Sequence, residues 1–181
     1  MDQEDRLRRI EEQLIKLMEM VADKTELKDT IVTVDTQKIK DDTYVWCTLI
    51  QSPGKKALPQ TGFSQGKKLK AEMIAAWAGI QTVIHSPEYS GAIHVFSNSS
   101  LGLALTSGES MIFTDQDLTD RYNKLLELMR DKRSNETVSE HQRTHHLGKC
   151  AEILEELREN IEKEKECSQS AESELSQKTT K

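Results

Sequence analysis

The stretch AIHVFSNSSLGLAL, residues 92–105, decides how the chain is read. It opens as a short apolar run, AIHVF, of the kind found in a strand covered on both faces. It passes through a small polar turn, SNSS, and enters a helix at LGLAL. The side chain at the tip of the strand is Asn98. Two roles suit an amide there: a turn residue that caps the following helix, or a group in a site built on the strand end.

Working outward, the preceding segment KKLKAEMIAAWAGIQTVIHS places Leu69, Met73, Ala76, Trp77 and Ile80 on one helical face. Pro87 and the glycine of PEYSG end that helix. Before it come three strand-like runs. TIVTVDT is β-branched, and TYVWCTLIQ is a second strand followed by the turn chemistry of SPGKK. ALPQTGFSQG is a third strand, expected at a sheet edge because Pro59 has no N–H to donate. The order β-β-β-α-β implies a mixed sheet with a crossover helix. Trp46 and Trp77 are expected on the core faces of a strand and a helix, and Cys47 as a small buried hydrophobe.

The flanks differ in texture. Residues 1–28 carry Leu7, Ile10, Leu14, Leu17 and Val21 at spacings of 3, 4, 3 and 4, a coiled-coil seam. A helix this short gains little from propensity alone. The spacing favours self-association or a helical protein partner over packing on its own domain. After residue 105 the chain turns helical and polar. Leu118, Tyr122, Leu125, Leu126 and Met129 form one inward face, and Cys150, Ile153, Leu154, Leu157 and Ile161 another. The organisation expected is a helix over 1–28, a domain over 29–160 and a polar, disordered tail over 161–181.

Composition narrows the function. With 181 residues, 35% hydrophobic and 31% charged, the chain holds one domain with extensions and a good deal outside the core. A net charge of −6 gives no global attraction to nucleic acid or anionic membrane. Cys47, Cys150 and Cys167 form no disulfide framework and no Cys-x-x-Cys metal pair. The start, MDQEDRLRRIEE, lacks the pattern of a secretory signal, and no apolar run approaches membrane-spanning length. The expectation is a soluble, reduced, intracellular protein, cytoplasmic or nuclear, with no membrane partner.

Three polar residues occupy special places in this plan: Asp35 at the end of the first strand, Glu72 in the first turn of the main helix and Asn98 after the fourth strand. If the first and fourth strands are neighbours, all three converge. Clustered carboxylates hold hard divalent cations such as Mg²⁺, and two such ions position water and stabilise the leaving oxygen in phosphodiester cleavage.

These motifs resemble the ribonuclease H family (type 1), most of all the domains of retroviral and retrotransposon reverse transcriptases. The resemblance rests on a first strand with Asp35, on Ala71-Glu72-Met73-Ile74-Ala75 in a helix, and on VFSNSSLGLAL after the fourth strand. It implies an RNase H-like mixed sheet with flanking helices, and a metal-dependent activity on RNA–DNA hybrids that uses Mg²⁺ at Asp35 and Glu72. It also implies an aspartate where this chain has Asn98, and Thr36 stands where the family has glycine or alanine. A fourth carboxylate falls near the start of a late helix, for which Glu152 is the candidate, with His141 or His145 as a loop histidine. His145, His146 and Cys150 lack a fourth ligand for zinc. The amide at position 98 removes a charge that two neighbouring cations require. The reading is therefore a catalytically impaired module acting by binding and interaction. An active hybrid ribonuclease is the first alternative, and a coiled-coil adaptor with a non-catalytic α/β domain the second. Lys55, Lys56, Lys67, Lys68 and Lys70 are the candidates for phosphate contact.

Overall fold

A computed structural model describes residues 3–24, 28–89 and 91–178, with side chains omitted at 19–24, 177 and 178. The elements are α1 (Gln3–Lys24), β1 (Thr30–Lys40), β2 (Thr43–Gln51), β3 (Leu58–Gln65), α2 (Lys68–His85), β4 (Ile93–Phe96), α3 (Leu101–Ser107), α4 (Gln116–Met129) and α5 (Glu140–Lys178). The sheet runs in the order β3-β2-β1-β4. β1, β2 and β3 form an antiparallel meander, and α2 carries the chain across to β4, which pairs with β1 in parallel. β3 is an edge strand, as Pro59 requires.

The sheet has a helix layer on each face, because β1 and β2 are apolar on both. Val32, Val34 and Ile50 meet Met73, Ala76, Ile80 and Val83 of α2 and, beyond them, Tyr122, Leu125 and Met129 of α4. Val45, Cys47 and Leu49 point the other way, against Cys150 and Leu154 of α5. Each such fully buried aliphatic side chain stabilises the fold by roughly 1.5–3 kcal/mol. Gly79 permits the tight seat of α2, since a Cβ there would stand 2.6 Å from Val32 Cγ1 and 2.5 Å from Thr48 Oγ1.

Five expectations change. Asp35 lies within β1, not at its end; the strand that stops there is β4, whose last pair is Thr33 with Phe96. Trp77 lies outside the core, 39% exposed on the outer side of α2. Its neighbours Ala75, Ala76, Gly79 and Ile80 take the buried face. Trp46 is half-buried and packs over Gly62. The segment from 161 to 178 is not disordered but continues α5, with side chains exposed from 162 to 176. Its Glu, Lys, Gln, Ala and Leu are helix formers, and neither Gly nor Pro follows Gly148 to stop them. Finally, His141, His145 and His146 lie in α5 and not in a loop.

In α1, Leu7, Ile10, Leu14 and Leu17 are 53–59% exposed, while Val21 lies outside the described side chains. Among the described residues no helix is long and apolar enough to cross a membrane.

Candidate functional site

The parallel pairing of β1 with β4 brings the three foreseen residues together. Asp35 and Cys47 are cross-strand partners and face α5. β4 stops at Phe96, so the next residues turn across the β1 surface beside Asp35. Asn98 Nδ2 donates to Asp35 Oδ1 at 3.3 Å, and the Thr36 amide donates to the same oxygen at 2.8 Å. Glu72 enters from the fifth residue of α2 and is 3% exposed. It accepts the Ser99 hydroxyl at 2.6 Å.

The turn between β4 and α3 is held by serines. Ser97 Oγ accepts the Gly102 amide at 2.7 Å and Ser99 Oγ accepts the Leu101 amide at 3.3 Å. These hydroxyls satisfy the first two amides of α3, and the cap position falls on Ser100, not on Asn98. Gly102 is demanded by closeness, as a Cβ would sit 2.7 Å from both Val95 O and Ser97 N. Asn98, freed from capping and exposed, is left to face Asp35.

Both carboxylates have raised pKa values. For Asp35 the chief cause is burial, opposed by the hydrogen bonds from Thr36 and Asn98 and by the Lys68 charge. For Glu72 burial again leads, opposed by the Ser99 hydroxyl and Lys68 and reinforced by Asp35. The two acids are thus near enough to repel, and Lys68 is the cation that acts on both.

Glu152 does not join them. It is exposed and lies two positions from Cys150, about 200° around the helix from the side that meets the sheet. Cys150 fills that side, its thiol directed at the Thr33 and Cys47 carbonyls, with its pKa raised by the Cys47 thiol and by burial. His141 and His145 are exposed. Two residues that the sequence reading missed approach instead. Arg143 Nη2 donates to the Ser97 carbonyl at 3.0 Å. His146, 9% exposed, stacks 5.8 Å from Phe96, and burial holds its pKa down at about 4. Both follow from running the buried stripe of α5 back from Cys150 by four residues and then three.

The lysines divide between two ends of the sheet. Lys67, Lys68 and Lys70 lead into α2 beside the acidic site, where Lys67 pairs with Asp115 at 3.1 Å. Lys55 and Lys56 lie in the β2–β3 turn at the far end, with Lys55 3.7 Å from Glu88 and over the Tyr89 ring. The five do not form one patch.

Asp35 and Glu72 are the carboxylates here that would hold a hard cation such as Mg²⁺, which takes one or two carboxylates and keeps its waters. Beside them stand a neutral amide, Asn98, and a cation, Arg143, which donates to the Ser97 carbonyl after β4.

The mixed β3-β2-β1-β4 sheet flanked by helices has the ribonuclease H-like fold. Comparison with solved structures agrees. LC11 RNase H1, isolated from compost by a metagenomic approach, matches with a TM-score of 0.55 at 11% identity, over 75% of this chain and 99% of that one. The same protein in complex with an RNA/DNA hybrid gives 0.46 at 13% identity, over 57% of this chain and 78% of that one. RNase H1 from Halobacterium salinarum gives 0.45 at 15% identity, over 56% and 77%. At such identities the first match establishes fold alone. No protein-family model matches the chain, and no curated protein matches it in sequence.

Proposed function

We propose that this protein is a catalytically impaired, RNase H-like nucleic-acid-binding module of retroelement type. The observation that carries the reading is the polarity of the site. Asp35 receives an amide hydrogen from Asn98, and α5 offers Arg143 beside Ser97 in place of a carboxylate. A second Mg²⁺ would meet one neutral group and one cation where it needs two anions. One Mg²⁺ bound by Asp35 and Glu72 would supply charge to hold a phosphate, and Lys67, Lys68 and Lys70 would add sequence-independent phosphate contact.

The test uses a labelled RNA–DNA hybrid in Mg²⁺ and in Mn²⁺. The expected result is binding without cleavage, weakening with salt. Each of Lys68→Ala and Lys70→Ala should lower the slope of log affinity on log salt by about 1. Cleavage that Asp35→Asn abolishes would establish the enzyme reading, and affinity independent of salt would remove the binding one.

The half-exposed stripe of Leu7, Ile10, Leu14 and Leu17 on α1 favours a second feature, association through α1 with another helix, including that of a second copy. Light scattering on the full chain and on Leu14→Glu checks it; a monomer at high concentration refutes self-association.

A further inference from the structure

At the opposite end of β1 and β4 from Asp35, a second group of side chains converges. Asp29, just before β1, His94 in β4 and Glu136, in the segment between α4 and α5, place one ligand atom each within 4.8 Å of the others. Asp29 lies six residues before Asp35, about 20 Å away along an extended chain. His94 is 2% exposed, and among the described residues its Nε2 has no well-formed hydrogen bond. It points at Asp29, whose Oδ2 stands 3.5 Å off. A buried ring nitrogen left in this state is costly unless something fills the gap.

The surroundings are organised around that gap. The Ser134 hydroxyl donates to Asp29 Oδ2 and accepts the Glu136 backbone amide at 3.1 Å, so one side chain holds the Asp29 carboxylate and the backbone at Glu136. The Ala92 amide donates to Asp29 Oδ1 at 3.4 Å. Residues 132 and 133 run beside β4, with the Ile93 amide donating to the Lys132 carbonyl at 2.6 Å. Glu136 is thereby delivered to the mouth of the site on an exposed, adjustable side chain.

We propose that Asp29, His94 and Glu136 form a binding site for a divalent transition metal of the zinc class. It would tie the α4–α5 connection to the shared start of β1 and β4. Ligands about 2.1 Å from a tetrahedral Zn²⁺ lie about 3.4 Å apart, which the 3.5 Å between His94 Nε2 and Asp29 Oδ2 already meets. Glu136 closes the remainder by rotating. Two carboxylates and one imidazole neutralise the ion and leave a fourth position to water. The imidazole selects zinc-like metals over Mg²⁺, which separates this site in chemistry as well as in place from Asp35 and Glu72.

The test is metal titration of the chelator-treated full chain, read by calorimetry, by melting temperature and, with Co²⁺, by absorption. Zn²⁺ should bind at one equivalent and raise Tm by roughly 5–10 °C at free metal about 100 times Kd. Co²⁺ should give a tetrahedral visible spectrum without a thiolate charge-transfer band, which excludes the cysteines. Glu136→Gln alters only an exposed side chain and should weaken binding at least about tenfold, as should Asp29→Asn. The double variant His141→Gln/His145→Gln, on the exposed side of α5, should bind as the parent does. Mg²⁺ should not compete. Failure to bind one equivalent, or binding undiminished by either Glu136→Gln or Asp29→Asn, overturns the proposal.

Discussion

Replacing Asn98 by aspartate would set two carboxylates against each other on the β1 surface. The present contact is an amide donor 3.3 Å from Asp35 Oδ1. At that distance two unit charges repel by about 1 kcal/mol in bulk water and about 5 kcal/mol at an effective dielectric of about 20. Asp35 is half-buried and position 98 is exposed, so the new side chain can swing toward water and the lower part of that range applies. With the lost hydrogen bond, Asn98→Asp should cost about 1–2 kcal/mol at neutral pH and low salt, a fall in Tm of roughly 2–8 °C. The sign with pH follows from linkage. A carboxylate whose folded pKa is raised imposes no penalty while protonated, and stability is lost as pH rises from its unfolded value through the folded one. The deficit of Asn98→Asp should therefore vanish near pH 4. Mg²⁺ should also remove it, by binding between the two acids, and should do less for the parent. Calorimetric melting across pH, with and without Mg²⁺, measures all three effects. A variant as stable as the parent at pH 7, and unmoved by Mg²⁺, would show that Asp35 and residue 98 do not share a site.

Three further outcomes are expected. Gly102→Ala forces a Cβ to 2.7 Å from backbone atoms of Val95 and Ser97 and should cost roughly 1–3 kcal/mol in denaturant unfolding. Leu154→Ala, at a side chain 2% exposed between α5 and the sheet, should cost about 2–5 kcal/mol, whereas Leu175→Ala at the exposed end of the same helix should be near neutral. His146 is held neutral, its pKa lowered to about 4 mainly by burial. The unfolded chain then takes up its proton first, and stability should fall as pH drops from about 6.5 toward 4; His146→Leu should flatten the melting profile in that window.

Much of the fold is legible in the sequence because its signals are local. Alternation and β-branching mark β1 and β2, Pro59 marks an edge strand, and helical spacing marks the buried faces of α4 and of α5 beyond Cys150. The convergence of Asp35, Glu72 and Asn98 needs only one further assumption, that the first and fourth strands are neighbours, which right-handed crossover through α2 favours. Where the reading failed, the deciding force was not local. Trp77 is apolar enough for either side of α2, and the seat of Gly79 against β1 and β2 determines which side is buried. Glu152 has suitable chemistry and sequence distance, but the phase of α5 is set by Cys150 and Leu154 packing on Val45, Cys47 and Leu49, and that phase turns Glu152 to water and Arg143 to the end of β4. The continuation of α5 to Lys178 depends on helix propensity carried past the point where burial ends.

Sequence alone thus determined the order of elements, the core faces of β1, β2 and α4, and three of the polar residues that meet at one place, since periodicity and residue chemistry are properties of short segments. Tertiary structure decided which side chains stand beside them, the rotation of α5, the division of the lysines between two ends of the sheet and the meeting of Asp29, His94 and Glu136. Those depend on distances between residues as far as 117 positions apart in the chain, from Thr33 to Cys150, and only packing sets such distances.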